Sequence, residues 1–243
     1  MRPATLLRTA VWLSVIAFLW RPSAFAAVFA PFTHDGAPAI YDQGDLADLA
    51  LAHLGLVLFA TALSAVIAVL LAVVVTRGPG RAFLPMSRSL VSIGQTFPPV
   101  AVLAVAVPLV GFGSLPALIA LVAYGLLPVF ENALTGLAEL PASVLEAADG
   151  VGMDAWQRLW SIELPLAGPL IVEGLRQTLV ISVGTATLGS TVAAKGLGEV
   201  IIAGLLSDNT AFVLQGGLLT GLMAILLHDA IGRIGAYVLP RQG

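Results

Sequence analysis

The sequence predicts an all-α, polytopic membrane protein, a bundle of about six spanning helices with one long patterned loop between the fourth and the fifth. Three observations carry that expectation. The chain is 58% apolar and 10% charged, with a mean hydropathy of +0.99, whereas soluble domains are about 45–50% apolar and about 25% charged. A soluble chain of 243 residues needs polar side chains to cover its core, and this one lacks them. The apolar residues also fall in runs close to the ~20 that a helix needs to cross ~30 Å of hydrocarbon.

The runs follow in order. The first and shortest, Thr9–Trp20, lies between Arg8 and Arg21. It reads as an uncleaved first helix, the preferred reading, or with Ala24-Phe25-Ala26 as a cleaved signal segment. The second, Leu51–Val75, has His53 near its start and Arg77 just past its end. The third, Leu90–Val110, contains Pro98, Pro99 and Pro108, which remove backbone donors and bend or break a helix. Such a break either lines a pathway or is a packing kink. The fourth run is Leu115–Phe130, the fifth Leu170–Val192 and the sixth Phe212–Leu227.

Positive charges set the orientation, because cytoplasmic loops hold Lys and Arg. Arg77, Arg81 and Arg88 place the loop Thr76–Ser89 inside. Alternation then puts the loop 137–169 inside with Arg158, along with Arg176, Arg233 and Arg241, and Arg2 and Arg8 if the first run spans. Arg21 and Lys195 are left outside, where Asp35, Asp42, Asp45, Asp48, Glu199 and Asp208 also fall. Both termini are expected inside.

The loop 137–169 carries a pattern that a mere connector does not need. Pro141 suits the first position of a short helix, where its missing donor goes unused. That helix should run to about Asp149, with Gly150 and Gly152 supplying a sharp reversal. Asp154 followed by Gln157 is a capping-box pattern for a second short helix, expected to end before Leu164-Pro165. Trp156, Trp160 and Ile162 are expected to seat this helix–turn–helix on the bundle. Periodicity alone leaves open a protruding knob that takes a push from a soluble partner, or an amphipathic connector anchored at the membrane surface by its tryptophans.

The motif Glu146-Ala147-Ala148, three residues, Gly152, nine residues, Ile162, one residue, Leu164-Pro165 resembles the full EAA signature of ATP-binding-cassette (ABC) importer permeases. The resemblance implies that Glu146, Ala147, Ala148, Gly152, Ile162, Leu164 and Pro165 form a coupling loop that docks on a cytoplasmic ATPase subunit. Flanking stretches are similar to permeases for osmoprotectants such as glycine betaine, choline and carnitine. They include His53-Leu-Gly-Leu-Val-Leu-Phe-Ala-Thr61 with Val75-Thr76-Arg77, Gln95-Thr-Phe-Pro-Pro99, Pro108-Leu-Val-Gly111-Phe-Gly113, Tyr124-Gly-Leu-Leu-Pro128 and Lys195-Gly-Leu-Gly198-Glu199. Methionine and phosphonate permeases share the EAA core. Residues 1–50 match less well and are read as an N-terminal helix and outer loop, 51–233 as the permease domain, and 234–243 as a tail. The implied partners are two ATPase subunits, a second permease copy or paralogue and an extracytoplasmic binding protein, in a bacterial inner membrane. The implied cofactors, ATP and Mg, belong to the ATPase.

No catalytic or metal-binding pattern competes. There is no cysteine and no phosphate-cradling Gly-x-x-x-x-Gly-Lys-Ser/Thr sequence, and His34, His53 and His228 lack metal-ligand spacing. With no basic block, nucleic acid is not an expected partner. Glu131, Glu173, Arg176, His228 and Asp229 fall near inner helix ends, where side chains reach headgroups or water; Glu173 and Arg176 can pair at i, i+3. Gln95, Pro98, Pro99 and Gln215 are the candidates for a pathway. The rival from another class is a passive channel or facilitator, which gives no reason for the EAA spacing.

Overall fold

A computed structural model describes residues 3–34 and 36–238. Arg2, Asp35 and Arg241, used above in the charge pattern, lie outside the described residues. The helices are α1 (Pro3–Trp20), α2 (Ala26–Phe29), α3 (Leu46–Thr76), α4 (Leu84–Thr96), α5 (Pro99–Val110), α6 (Ser114–Ala138), α7 (Ala142–Gly150), α8 (Ala155–Arg158), α9 (Leu164–Ala186), α10 (Gly198–Leu206) and α11 (Thr210–Val238). Among the described residues there is no strand. Within the described residues, four helical stretches are long and apolar enough to cross a membrane, or up to six if two bent pairs each count as one span.

The two bent pairs fall on the first and third runs. The third is not one helix: α4 and α5 meet at an angle of 96°. Pro98 forces the residue before it out of the helical region, and Phe97 accordingly ends α4 in extended backbone (φ −87°, ψ 138°). The first run continues past Trp20 through a 114° turn into the short helical turns of Pro22–Phe32. Proline again marks the change, at Pro22 and Pro31. At the other end α11 runs to Val238, well beyond the predicted Leu227 and into the stretch read as a tail.

Between Ala60 and Ala72 of α3 the buried stripe is built from small side chains, Ala60, Thr61, Ser64, Ala68 and Ala72, while Val66 and Leu70, with Phe59 and Val74 on either side, are exposed. That inverts the rule for water-soluble helices, and lipid is the solvent that suits it. Small residues let helix backbones approach, and large ones face the tails.

The chain forms two compact units. The first comprises residues 1–59, 99–121 and 183–226. Its main core packs Phe18, Phe29, Tyr41, Leu46 and Leu49 with Leu197, Val200, Phe212 and Leu219. Phe18 lies edge-on to Phe25 at 5.2 Å, so the first run is packed rather than loose. Asn209 donates to the Pro38 carbonyl at 2.9 Å, and the Gln215 amide bonds to both Ala39 and Tyr41 backbone. These bonds pin the segment 38–41 to the start of α11. Asp48 and Lys195 form an exposed ion pair at 2.5 Å.

The second unit comprises residues 60–98, 122–182 and 227–243. Its core packs Ala68, Ala72, Val75 and Val91 with Val129, Phe130, Ala133, Leu134, Leu137 and Ala167. Gly94 lets α4 touch α6: a Cβ built there would lie 2.0 Å from the Ala123 carbonyl oxygen. Arg88 of α4 grips Glu131 of α6 with two bonds of 2.9 Å. Glu173 and Arg176 pair at 2.8 Å as expected from their spacing, and Arg176 also contacts His228 Nε2 at 2.7 Å.

Candidate coupling loop

The motif loop lies in the second unit and is built from local rules. Pro141 precedes α7 as its N-cap instead of being its first residue. Gly150 belongs to the helix, and the reversal falls on Gly152 alone, at φ +81°. Gly152 N–H donates to Asp149 O at 3.0 Å and Met153 N–H to Ala148 O at 3.1 Å. This pair of bonds is the Schellman ending, which needs a left-handed residue at the glycine position. Asp154 then opens α8 with a complete capping box: its carboxylate accepts from Trp156 and Gln157 N–H at 2.8 Å. The Gln157 side chain accepts the Asp154 N–H at 3.0 Å in return.

Beyond Arg158 two expectations need correction. The second short helix does not stop before Leu164-Pro165. It widens into a π-turn, Leu159–Glu163, and runs on as α9. Pro165 has no N–H to give to the preceding turn, and widened turns absorb such gaps without ending the helix. Nor do the tryptophans seat the loop. Trp156 and Trp160 are 67% and 56% exposed and lie edge-to-face at 5.5 Å. Of residues 142–163 only Ala148, Leu159 and Glu163 are buried. Leu159 and Glu163, four apart, are the side chains that this stretch turns inward.

Among the motif residues, Glu146, Ala147 and Gly152 are exposed on α7 and its turn, Ala148 faces inward, and Ile162, Leu164 and Pro165 are half-buried at the base. The loop therefore presents Ala147, Gly150 and Gly152 at an exposed crest, with Val151 exposed between the two glycines, on a base that merges with a spanning helix. From Ala155 the base runs into α9 as continuous helical backbone.

Glu163, which the sequence reading passed over, is the centre of the base. Its Oε1 accepts from Arg77 Nη1 at 3.0 Å and Arg158 Nε at 2.9 Å, and its Oε2 from Arg77 Nη2 at 2.5 Å. Arg158 Nη1 also reaches Asp149 Oδ1 of α7 at 2.5 Å. The sequence signal was weak: an acid between Ile162 and Leu164, and Arg77 assigned to the same membrane side. A pairing across 86 residues becomes visible only in three dimensions.

The pathway candidates are spread over both units. Pro98 is exposed and Pro99 half-buried at the α4–α5 break. Gln95 is exposed, with its amide donating to Tyr124 O at 3.1 Å, while the Tyr124 hydroxyl donates to Phe97 O. The break is thus braced by α6. Gln215 is fully buried, and its side chain is engaged by Tyr41, Ala39 and Ala211 backbone. That makes it a clamp for the 38–41 segment.

Known proteins resemble this chain in sequence and in fold. Residues 64–242 match the family of binding-protein-dependent transport system inner membrane components. The chain is 35% identical to the osmoprotectant import permease protein OsmY of Salmonella typhimurium, over 82% of this chain and 84% of that one. It is 32% identical to the glycine betaine/carnitine/choline transport system permease protein OpuCB of Bacillus subtilis, over 85% and 91%. Among solved structures, a chain of the MetNI methionine ABC transporter superposes with a TM-score of 0.70 at 23% identity, covering 80% of this chain and 96% of that one. A hydrophobic bundle, a spaced motif loop built on local capping rules and these similarities converge: the chain belongs to the binding-protein-dependent transport system inner membrane component family, as a multi-pass permease subunit of an ABC transporter.

Proposed function

We propose that this permease imports osmoprotectants of the quaternary-amine type, such as glycine betaine, choline or carnitine. Identity above 30% to permeases so named, over more than four-fifths of the chain, is the observation that carries the substrate class. The permease works as a pair, with itself or a paralogue, beside two cytoplasmic ATPase subunits and an extracytoplasmic binding protein. ATP and Mg are used by the ATPases. This chain supplies the crest Glu146, Ala147, Ala148 and Gly152, and the base Ile162, Leu164 and Pro165, on which an ATPase docks. ATP binding closes the ATPases, moves both crests and switches the pathway by rigid-body motion. The α4–α5 break, with Gln95, Pro98 and Pro99, supplies irregular backbone of the kind that lines transporter pathways.

The test is uptake of labelled glycine betaine, choline and carnitine into vesicles holding the permease with its ATPase and binding protein. ATP-dependent uptake of at least one, competed by the others, is expected. Uptake of an amino acid or a phosphonate instead would move the substrate class while keeping the mechanism. ATP-independent flux through the permease alone would replace the whole reading with a facilitator.

A further inference from the structure

We propose that Arg77, Glu163 and Arg158 form a two-way latch, which makes Glu163 the positioning residue that ties the coupling loop to the end of α3. The proposal rests on the permease reading above and goes beyond its motif residues, none of which is Arg77, Arg158 or Glu163.

Three observations support it. First, the loop has little else to hold it: Ala148 and Leu159 are its other buried side chains. Second, the ion pairs form an unbroken series, Asp149–Arg158–Glu163–Arg77, from α7 through α8 and the π-turn to the residue that follows α3. Its formal charges sum to zero, so the buried carboxylate is compensated without further partners. Third, the Arg77–Glu163 contact is bidentate and Glu163's side chain is 5% exposed, against 30% for Arg77. Bidentate arginine–carboxylate pairs are directional and short.

The direction of force explains why charges would be used here. Apolar contact transmits a push but separates under a pull. An alternating-access cycle has to return the loop as well as advance it. A bidentate pair anchored on both sides resists both motions. The π-turn at Leu159–Glu163 lies at the base of the loop, where a widened helical turn can hinge. The latch holds α3 and the loop together across that hinge, so that movement of the crest becomes movement of α3.

The test uses the assembled transporter in proteoliposomes, with binding-protein-stimulated ATP hydrolysis and labelled glycine betaine uptake measured on the same preparation. E163Q, R77Q and the double variant are expected to co-purify with the ATPase and keep hydrolysis within about twofold. Uptake per ATP should fall tenfold or more in each single variant, with the double no worse than either, since residues acting as one unit are non-additive. R77K keeps the charge but loses the fork, and should lower uptake per ATP by two- to fivefold; it is also the variant to read if the glutamine forms fail to accumulate. Glu163→Asp should recover part of the loss in E163Q. Unchanged uptake per ATP in E163Q, or in R77K where that is the variant available, overturns the latch. So do multiplying losses in the double variant. Absence of stimulated hydrolysis and uptake in the wild type would instead count against the permease assignment, so the two failures are distinguishable.

Discussion

Replacing Gly152 separates a conformational requirement from a steric one. Gly152 sits at φ +81°, yet a Cβ built on it meets no atom within 4 Å. Size is therefore not sensed within the chain, and any penalty comes from the backbone. A left-handed conformation costs a residue with a Cβ roughly 1–2 kcal/mol. A β-branched residue suffers more, whereas Asn is several-fold enriched there. Because so few side chains of the loop are buried, little else compensates, and a loss of that size lowers the population of the formed turn by roughly 5–30-fold. The expected order of turn stability is Gly, then Asn, Ala and Val. Hydrogen exchange at Gly152 and Met153 in the permease alone reads it directly, since both amides are bonded only in the formed turn. Transport in the assembled system should follow the same order. Gly152→Arg, which adds bulk at the crest, should insert normally and abolish ATP-dependent uptake. Protection that falls with side-chain volume, with Ala above Asn, would refute the conformational argument.

Other expectations follow from the packing. Gly94→Ala sets a methyl against the Ala123 carbonyl, and such overpacking costs about 1–3 kcal/mol or more; a lowered thermal midpoint in detergent checks this, and none is expected for Gly78→Ala, whose added Cβ meets nothing within 4 Å. Gln215→Ala removes three backbone bonds from the 38–41 clamp and α11, at about 1–3 kcal/mol for the polar groups left unpaired; faster proteolysis between 33 and 45 should report it. Lys195→Met breaks only an exposed pair, and should leave the thermal midpoint unchanged. N-terminal sequencing of the purified protein should find the first run retained, since Phe18 is part of the packed core; a start near Ala27 would mean that the first run is cleaved.

Sequence alone determined the parts of this protein that depend on solvent and local rules. Composition selected lipid as the surroundings, run lengths located the spans, and proline at 98–99 marked the break. Asp154, Gln157 and Gly152 specified the loop because capping and left-handed backbone act over a few residues, and the spacing of Glu146 to Pro165 carried the family. Tertiary structure decided what depends on distant partners. The π-turn that joins α8 to α9 depends on how Pro165's missing bond is absorbed, and the surrounding packing left Trp156 and Trp160 exposed while burying Glu163. Arg88 and Glu131, and Arg77 and Glu163, are 43 and 86 residues apart. A single charge on a helix has no readable partner until folding brings one within reach, because charge fixes which residues can pair and only packing fixes which of them meet.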